Sequence, residues 1–227
     1  MNVQSVLKMY TRDKWSLIYI PSIILFSSFF VNIIVSFLIP SDEPFYTGGI
    51  SSVMVYMFVF GILSIAHLFP FAIGLSVRRI DFFTGNVIMG LISSTILAVL
   101  LYIFSVIENS TNGWGNRLHF FHFPYVNDGT IWEQIVMYIL LITMLYFTGS
   151  LIASFFLRYG GKGMLISALV IVLLGTIATL LVSYYDAWID IFNWFVGKTA
   201  VGIAYWFIPF ILIYLIASYF FLKRSTI

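Results

Sequence analysis

The 227 residues contain no cysteine, which removes disulfides, thiol nucleophiles and thiolate metal sites together. Charge is nearly as scarce: 9% of residues are Asp, Glu, Lys or Arg, against roughly 25% in a soluble domain. No carboxylate falls inside the six long uncharged runs at 15–41, 44–77, 82–107, 134–157, 163–185 and 199–222. An intramembrane hydrolase, or a carrier coupled to protons or sodium, needs an acid at membrane depth. Neither is expected here. A phosphate-binding loop is also missing. Gly197-Lys198-Thr199 has the right ending, but Phe192 stands where the motif requires its first glycine. The chain is therefore expected not to be an enzyme, to bind no cofactor or metal, and to have no nucleic-acid partner.

What the chain does have is apolar surface. It is 61% hydrophobic, with a mean hydropathy of +1.04. Each uncharged run exceeds the roughly 20 residues an apolar helix needs to cross the hydrocarbon layer. The reading is an all-α integral membrane protein, a single transmembrane domain with spans at about 16–39, 50–76, 83–107, 132–157, 164–184 and 200–222. The charges between the runs alternate in character. Lys8, Arg12, Lys14, Arg78, Arg79, Arg158, Lys162, Lys223 and Arg224 fall in segments that share one side, nine of the eleven Lys and Arg. Basic residues accumulate on the cytoplasmic side, so both termini are expected in the cytoplasm.

Residues 1–14 place Val3, Val6, Leu7 and Tyr10 at helical spacing among Lys8, Arg12 and Lys14. This predicts a short amphipathic helix lying on the cytoplasmic headgroups, with membrane lipids as its partner. The first apolar stretch is too long for a signal core and reads as a retained helix. Pro70 removes a backbone donor from the second span and is expected to kink it. The outer segment 108–133 carries Trp114, Phe120, Phe121, Phe123 and Tyr125, a composition that predicts contact with outer headgroups. The turn 159–163 is glycine-rich. In the outer segment 185–198, Trp188, Ile191, Phe192 and Phe195 fit one helical face, and Asp186 and Asp190 another. With Trp194 they predict a short interfacial helix. Small residues four apart, Gly149/Ala153, Ser150/Ser154 and Gly175/Thr179, permit close helix contact, inside the bundle or between chains.

Polar residues inside spans are few. Asn32 and Asn86 are expected to bond neighbouring helices. His67 lies three residues before Pro70, where it either lines a path or satisfies nearby backbone. His119 and His122, with Asp128 nearby, fall short of the three or four rigidly held ligands a metal site needs.

The stretch Phe71-Ala-Ile-Gly-Leu-Ser-Val-Arg-Arg-Ile-Asp-Phe-Phe-Thr-Gly-Asn86 resembles the passage that joins the second and third spans of ABC-2 type exporter permeases. It has one extra residue between Ser76 and Arg78. The layout is similar too: an amphipathic N-terminal helix, six spans, and an aromatic outer segment before the last. The resemblance implies a membrane-spanning permease subunit of an ATP-driven exporter, of the kind found as small permeases in Gram-positive bacteria. It implies separate ABC ATPase subunits, which would hold the ATP and magnesium, and a second permease chain, identical or related. It also places Ser76, Arg78, Arg79 and Asp81 in a coupling helix seated on the ATPase. Arg158 and Lys162 form the other short cytoplasmic turn available for docking. Amphipathic or antimicrobial peptides are the implied substrate class. The alternative is a non-transport membrane protein, an immunity or sensor protein that binds peptides or lipids at its outer loops.

Overall fold

The computed structural model describes residues 3–38, 44–115, 117–127 and 129–225. Asp128 lies outside them. Among the described residues, five helices are long and apolar enough to cross a membrane. A short helix, α1 (Val3–Arg12), precedes α2, which runs from Trp15 to Leu38 and opens with one π-helical turn over Trp15–Tyr19. Pro21 explains the wide turn. It has no N–H for the Leu17 carbonyl and its ring crowds that carbonyl, so the Ile20 N–H reaches back to Trp15 O.

The second span is broken. Helix α3 (Ser51–Ala66) stops at His67, and α4 (Leu68–Gly74) continues. Pro70 leaves the Ala66 carbonyl without its helical donor, and His67 absorbs the bend with φ −102°. Helix α4 ends in a Schellman turn. The Val77 N–H bonds Ala72 O (3.1 Å), the Ser76 N–H bonds Ile73 O (2.9 Å), and Ser76 takes the left-handed position at φ 59°.

The third span begins earlier than position 83. Helix α5 (Arg79–Ser110) follows the turn directly. The fourth and fifth spans form one helical stretch, α6 (Ile131–Tyr184), of 54 residues. At its start Glu133 accepts the Thr130 N–H at 2.7 Å. Gly160 alone leaves helical geometry, at φ 66° and ψ −169°, so a single residue does the work expected of a five-residue turn. Beyond it residues 168–181 are all exposed. Helices α7 (Trp188–Val196), α8 (Ala200–Ala204) and α9 (Phe207–Lys223) complete the chain. The α8–α9 break has the same origin as the others, because Pro209 cannot bond Tyr205 O, and Ile208 N–H takes that carbonyl in a tighter turn. Two short strands, β1 (Phe45–Tyr46) and β2 (Leu118–His119), pair in parallel.

The centre of the bundle is the crossing of α3 with the first part of α6. A Cβ on Gly61 would lie 2.1 Å from the Tyr146 carbonyl oxygen, and one on Gly149 would lie 2.0 Å from that of Phe58. Ser150 Oγ donates to Gly61 O across the same contact, and Ser154 Oγ meets Ser218 Oγ on α9 at 2.6 Å. The Gly149/Ala153 and Ser150/Ser154 pairs therefore pack the bundle internally. Gly175 faces open space.

This contact predicts an asymmetry between two glycines on one helix. Gly149→Ala should destabilise the protein by about 1–3 kcal/mol, because backbone must move to admit the methyl group. Gly175→Ala should be neutral or mildly stabilising. Thermal unfolding in detergent micelles measures both, and equal melting temperatures for the two variants would contradict the crossing.

Candidate functional site

Nine basic residues gather at one end of the bundle, on α1, the α4–α5 turn, the Gly160 kink and the end of α9. Arg78 is the N-cap residue of α5, in extended geometry, and makes no side-chain cap. Its Nε donates to Asp81 Oδ2 at 2.9 Å, with the Arg78 side chain 75% exposed. Asp81 lies in the first helical turn, where a carboxylate is favoured by the helix dipole. It does not cap α5. The helix starts two residues sooner, and the carboxylate is held by Arg78.

Arg79 turns the other way. Its Nη1 lies 2.9 Å from Leu222 O, 3.0 Å from Lys223 O and 3.0 Å from Ser225 O. The last turn of a helix leaves its carbonyls without intrahelical donors, and a guanidinium meets several of them at once. Arg79 is thus the C-terminal cap of α9, supplied from the start of α5. Arg158 stacks on its neighbour Tyr159, its guanidinium carbon 4.8 Å from that ring centre, and reaches α9 at Phe221, 5.6 Å from that ring centre. Lys162 is exposed beyond the kink. The structure therefore brings Arg79 and Arg158 together on the end of α9 and leaves Arg78 and Lys162 presented outward.

Deeper in the bundle a polar cluster joins four helices. Tyr10 of α1 donates its hydroxyl to Asn86 Oδ1 of α5 at 2.7 Å, and Tyr146 of α6 donates to the same oxygen at 2.8 Å. Tyr146 also lies 3.2 Å from Ser64 Oγ of α3. Burial pushes the Tyr10 hydroxyl well above its ordinary range, with Tyr146 adding to the shift, so it remains a proton donor. The apolar face of α1 is therefore covered by the bundle. Val6 and Tyr10 are buried in the core, with Val6 against the bare face of Gly85, while Lys8, Arg12 and Lys14 stay exposed.

The two asparagines part company. Asn86 bridges helices as expected. Asn32 spends its amide on Ser28 O of its own helix, at 2.8 Å, and bonds no neighbouring helix among the described residues. The His67 ring makes no hydrogen bond among them. It lines a small cavity with Asp13, Ser16, Ser64 and the apolar Phe60, Leu63 and Leu68.

At the opposite end the outer segment is folded, which its aromatic composition did not predict. Glu108, at the end of α5, is fully buried. Its Oε2 accepts the N–H groups of Phe120 and Phe121 and the Trp114 indole, each at 2.9 Å, and its Oε1 accepts the His122 N–H at 2.8 Å. His119 Nδ1 lies 3.4 Å from Oε1. Asn127 ties the rest, bonding Ser105 Oγ at 2.8 Å and accepting from Tyr138 at 2.8 Å. Phe120 and Phe121 are buried around Phe29, and only Phe123 and Tyr125 remain exposed, so most of these rings form a core and not a headgroup contact.

Helix α7 forms as predicted, with Trp188, Ile191, Phe192 and Phe195 exposed. Trp194 packs edge-on to Trp206 and lies under Lys198. Asp186 is a correction. It adopts φ 50° in the turn before α7, so it shares no helical face with Asp190. Sequence reasoning missed Glu108, Tyr10, Tyr146, Asn127 and Tyr138. The available signal was a glutamate directly at a span end, followed by a segment rich in rings and turn residues. Comparison with protein-family models, curated proteins and solved structures finds no match to this chain.

Glu108→Gln should cost about 2–3 kcal/mol. It exchanges a carboxylate that accepts four N–H groups for an amide with one acceptor oxygen and a donor facing donors. Thermal unfolding together with a red shift of Trp114 emission reads this. An unchanged melting temperature would show that the loop folds without the carboxylate.

Proposed function

We propose that this chain is the membrane-spanning permease subunit of an ATP-driven exporter in a bacterial plasma membrane. In this reading the chain crosses six times with both termini in the cytoplasm. It lines a translocation path with a second permease chain and is driven by separate ABC ATPase subunits that hold the ATP and magnesium. Amphipathic or antimicrobial peptides are the proposed cargo.

The observation that carries it is the construction of the basic end. A permease without its own ATPase needs a stiff cytoplasmic surface through which force can enter. The turn at 75–78 is a hydrogen-bonded Schellman turn, Arg78 stands outward beside Asp81, and Arg79 locks the start of α5 to the end of α9. Six crossings are supported by the length of α6. Straight, it would reach about 80 Å, more than twice the roughly 30 Å hydrocarbon core, and Gly160 divides it into two parts that are each long enough to cross. A second chain is supported by the part beyond Gly160, whose middle is exposed on all sides. The outer cap folded on Glu108 favours the second reading, an immunity or sensor protein that binds its ligand there.

Topology is tested with single cysteines in this cysteine-free chain. An impermeant thiol reagent on intact cells should label Asn112→Cys and Asp190→Cys, and should leave Ser5→Cys and Ser225→Cys unlabelled. Labelling at either end of the chain overturns the orientation.

Coupling is tested by separating the two arginines. Arg78→Ala should stay within about 0.5 kcal/mol of wild-type stability, because its ion pair is exposed. It should weaken capture of the ATPase encoded beside the permease and abolish substrate-stimulated ATP hydrolysis, while Arg78→Lys is partly tolerated. Arg79→Ala should instead lower stability by about 1.5–3 kcal/mol through the uncapped carbonyls of α9. Normal ATPase capture and stimulation by Arg78→Ala would reduce these residues to topological anchors.

A further inference from the structure

An apolar cleft of about 380 Å³ lies between α2, α3 and α5, within the size range of small-molecule sites. Its floor is buried and apolar, formed by Leu25, Met57, Phe60 and Met89. Its rim is the outer surface of the bundle, where Ile18, Phe26, Ile96 and Leu100 are exposed. The cleft therefore opens sideways, toward bilayer rather than water. It exists because Pro21 widens the first turn of α2 and because Ser93, small and bonded to Met89 O on its own helix, leaves α5 without a side chain to fill the gap. From Ser16 to Phe26 it extends roughly 15 Å along α2 at the helical rise.

The cleft has a mouth at the basic end where Asp13 lies. A second cavity of about 150 Å³ shares Ser16 and Phe60 with it and is lined by Asp13, Ser64 and His67. Asp13 uses Oδ1 to accept the Ser16 N–H at 3.2 Å, and it makes no ion pair among the described residues. Neither cavity is lined by Lys or Arg. Arg12 and Lys14 are exposed and line neither cavity, so Asp13 is the carboxylate that the mouth presents with no Lys or Arg in its lining. A carboxylate at the top of an apolar slot favours a cation carried on an alkyl chain, since such a ligand satisfies the charge and the apolar walls together.

We propose that this cleft binds an amphiphile with a single alkyl chain and a protonated amine head, the chain lying between α2, α3 and α5 and the ammonium at Asp13. The site requires only that the chain reside in a bilayer. It stands or falls separately from ATPase coupling, because ammonium binding can be measured with no ATPase present.

The test uses the full chain in lipid nanodiscs and dodecylammonium carrying a photoreactive diazirine at the chain end. After irradiation, adducts located by mass spectrometry should concentrate on Met57, Met89 and Leu97 and saturate with probe. Excess dodecylammonium should displace the probe and dodecyl sulfate should not. Asp13→Asn keeps the oxygen that receives the Ser16 N–H but removes the charge, and should weaken displacement by about fivefold. Asp13→Glu should restore it. Ser22→Trp, which fills the cleft, should remove the adducts. Adducts spread as heavily over the bilayer-facing Ile23, Phe30 and Phe37 would overturn the site, as would equal displacement by the sulfate or an unaltered Asp13→Asn. If Ser22→Trp fails to fold, the competition on the unaltered chain still decides.

Discussion

Helices in a bilayer gain nothing from hiding apolar side chains, so the bundle needs contacts that lipid cannot imitate. Here that contact is the backbone approach of α3 and α6 at Gly61 and Gly149, where a single added carbon would strike a carbonyl. Once the two helices are that close, Ser150 reaches Gly61 O and Tyr146 comes level with Ser64. Tyr146 can then meet Asn86, which fixes α5, and Asn86 in turn accepts Tyr10, which fastens α1 to the bundle. Further along α6, Ser154 fixes α9 through Ser218. Each later element is attached through a group that the first crossing has positioned.

Three prolines shape what surrounds that crossing. Pro21, Pro70 and Pro209 each deprive one carbonyl of its helical donor, and the chain answers differently each time. It widens a turn in α2, bends at His67, and tightens a turn between α8 and α9. The π turn and the His67 bend lie on facing helices. Between them they open both the apolar cleft and its mouth at Asp13. Irregular backbone is costly in a membrane unless it lines a cavity or is covered by protein, so the two irregularities and the two cavities belong to one arrangement.

The long apolar helices were legible in the sequence because an uncharged run of more than 20 residues has few other fates. Asn86, Pro70 and α7 were legible for similar reasons, each being a strong local preference with one physical outlet. The outer cap was not legible. Phe120 and Phe121 have the same composition whether they face headgroups or pack on Phe29, and only the closure of 108–127 onto Glu108 decides it. The amphipathic pattern of α1 shows an apolar face but not what covers that face. Arg79 and Arg78 look equivalent as neighbours in a basic pair. They separate only when α9 returns, more than 140 residues later, with carbonyls that one of them can cap.

That separation bears on how force could pass through the bundle. Asn86 lies two helical turns above Arg79 on the same helix, and α9 is fastened to both α5 and α6. A displacement applied at Arg78 would therefore not bend a free loop. It would move the start of α5, and the Arg79 cap would carry α9 with it. Tyr10 and Tyr146 resist independent motion of α5 at Asn86, so α1, α5 and the first part of α6 move together or their shared hydrogen bonds break inside a medium that cannot replace them. The part of α6 beyond Gly160 has no such ties among the described residues, and Gly160 is the one residue in that helix whose backbone already departs from it. Relative motion is thus cheapest at Gly160, between a fastened bundle and a helix held only by its two ends.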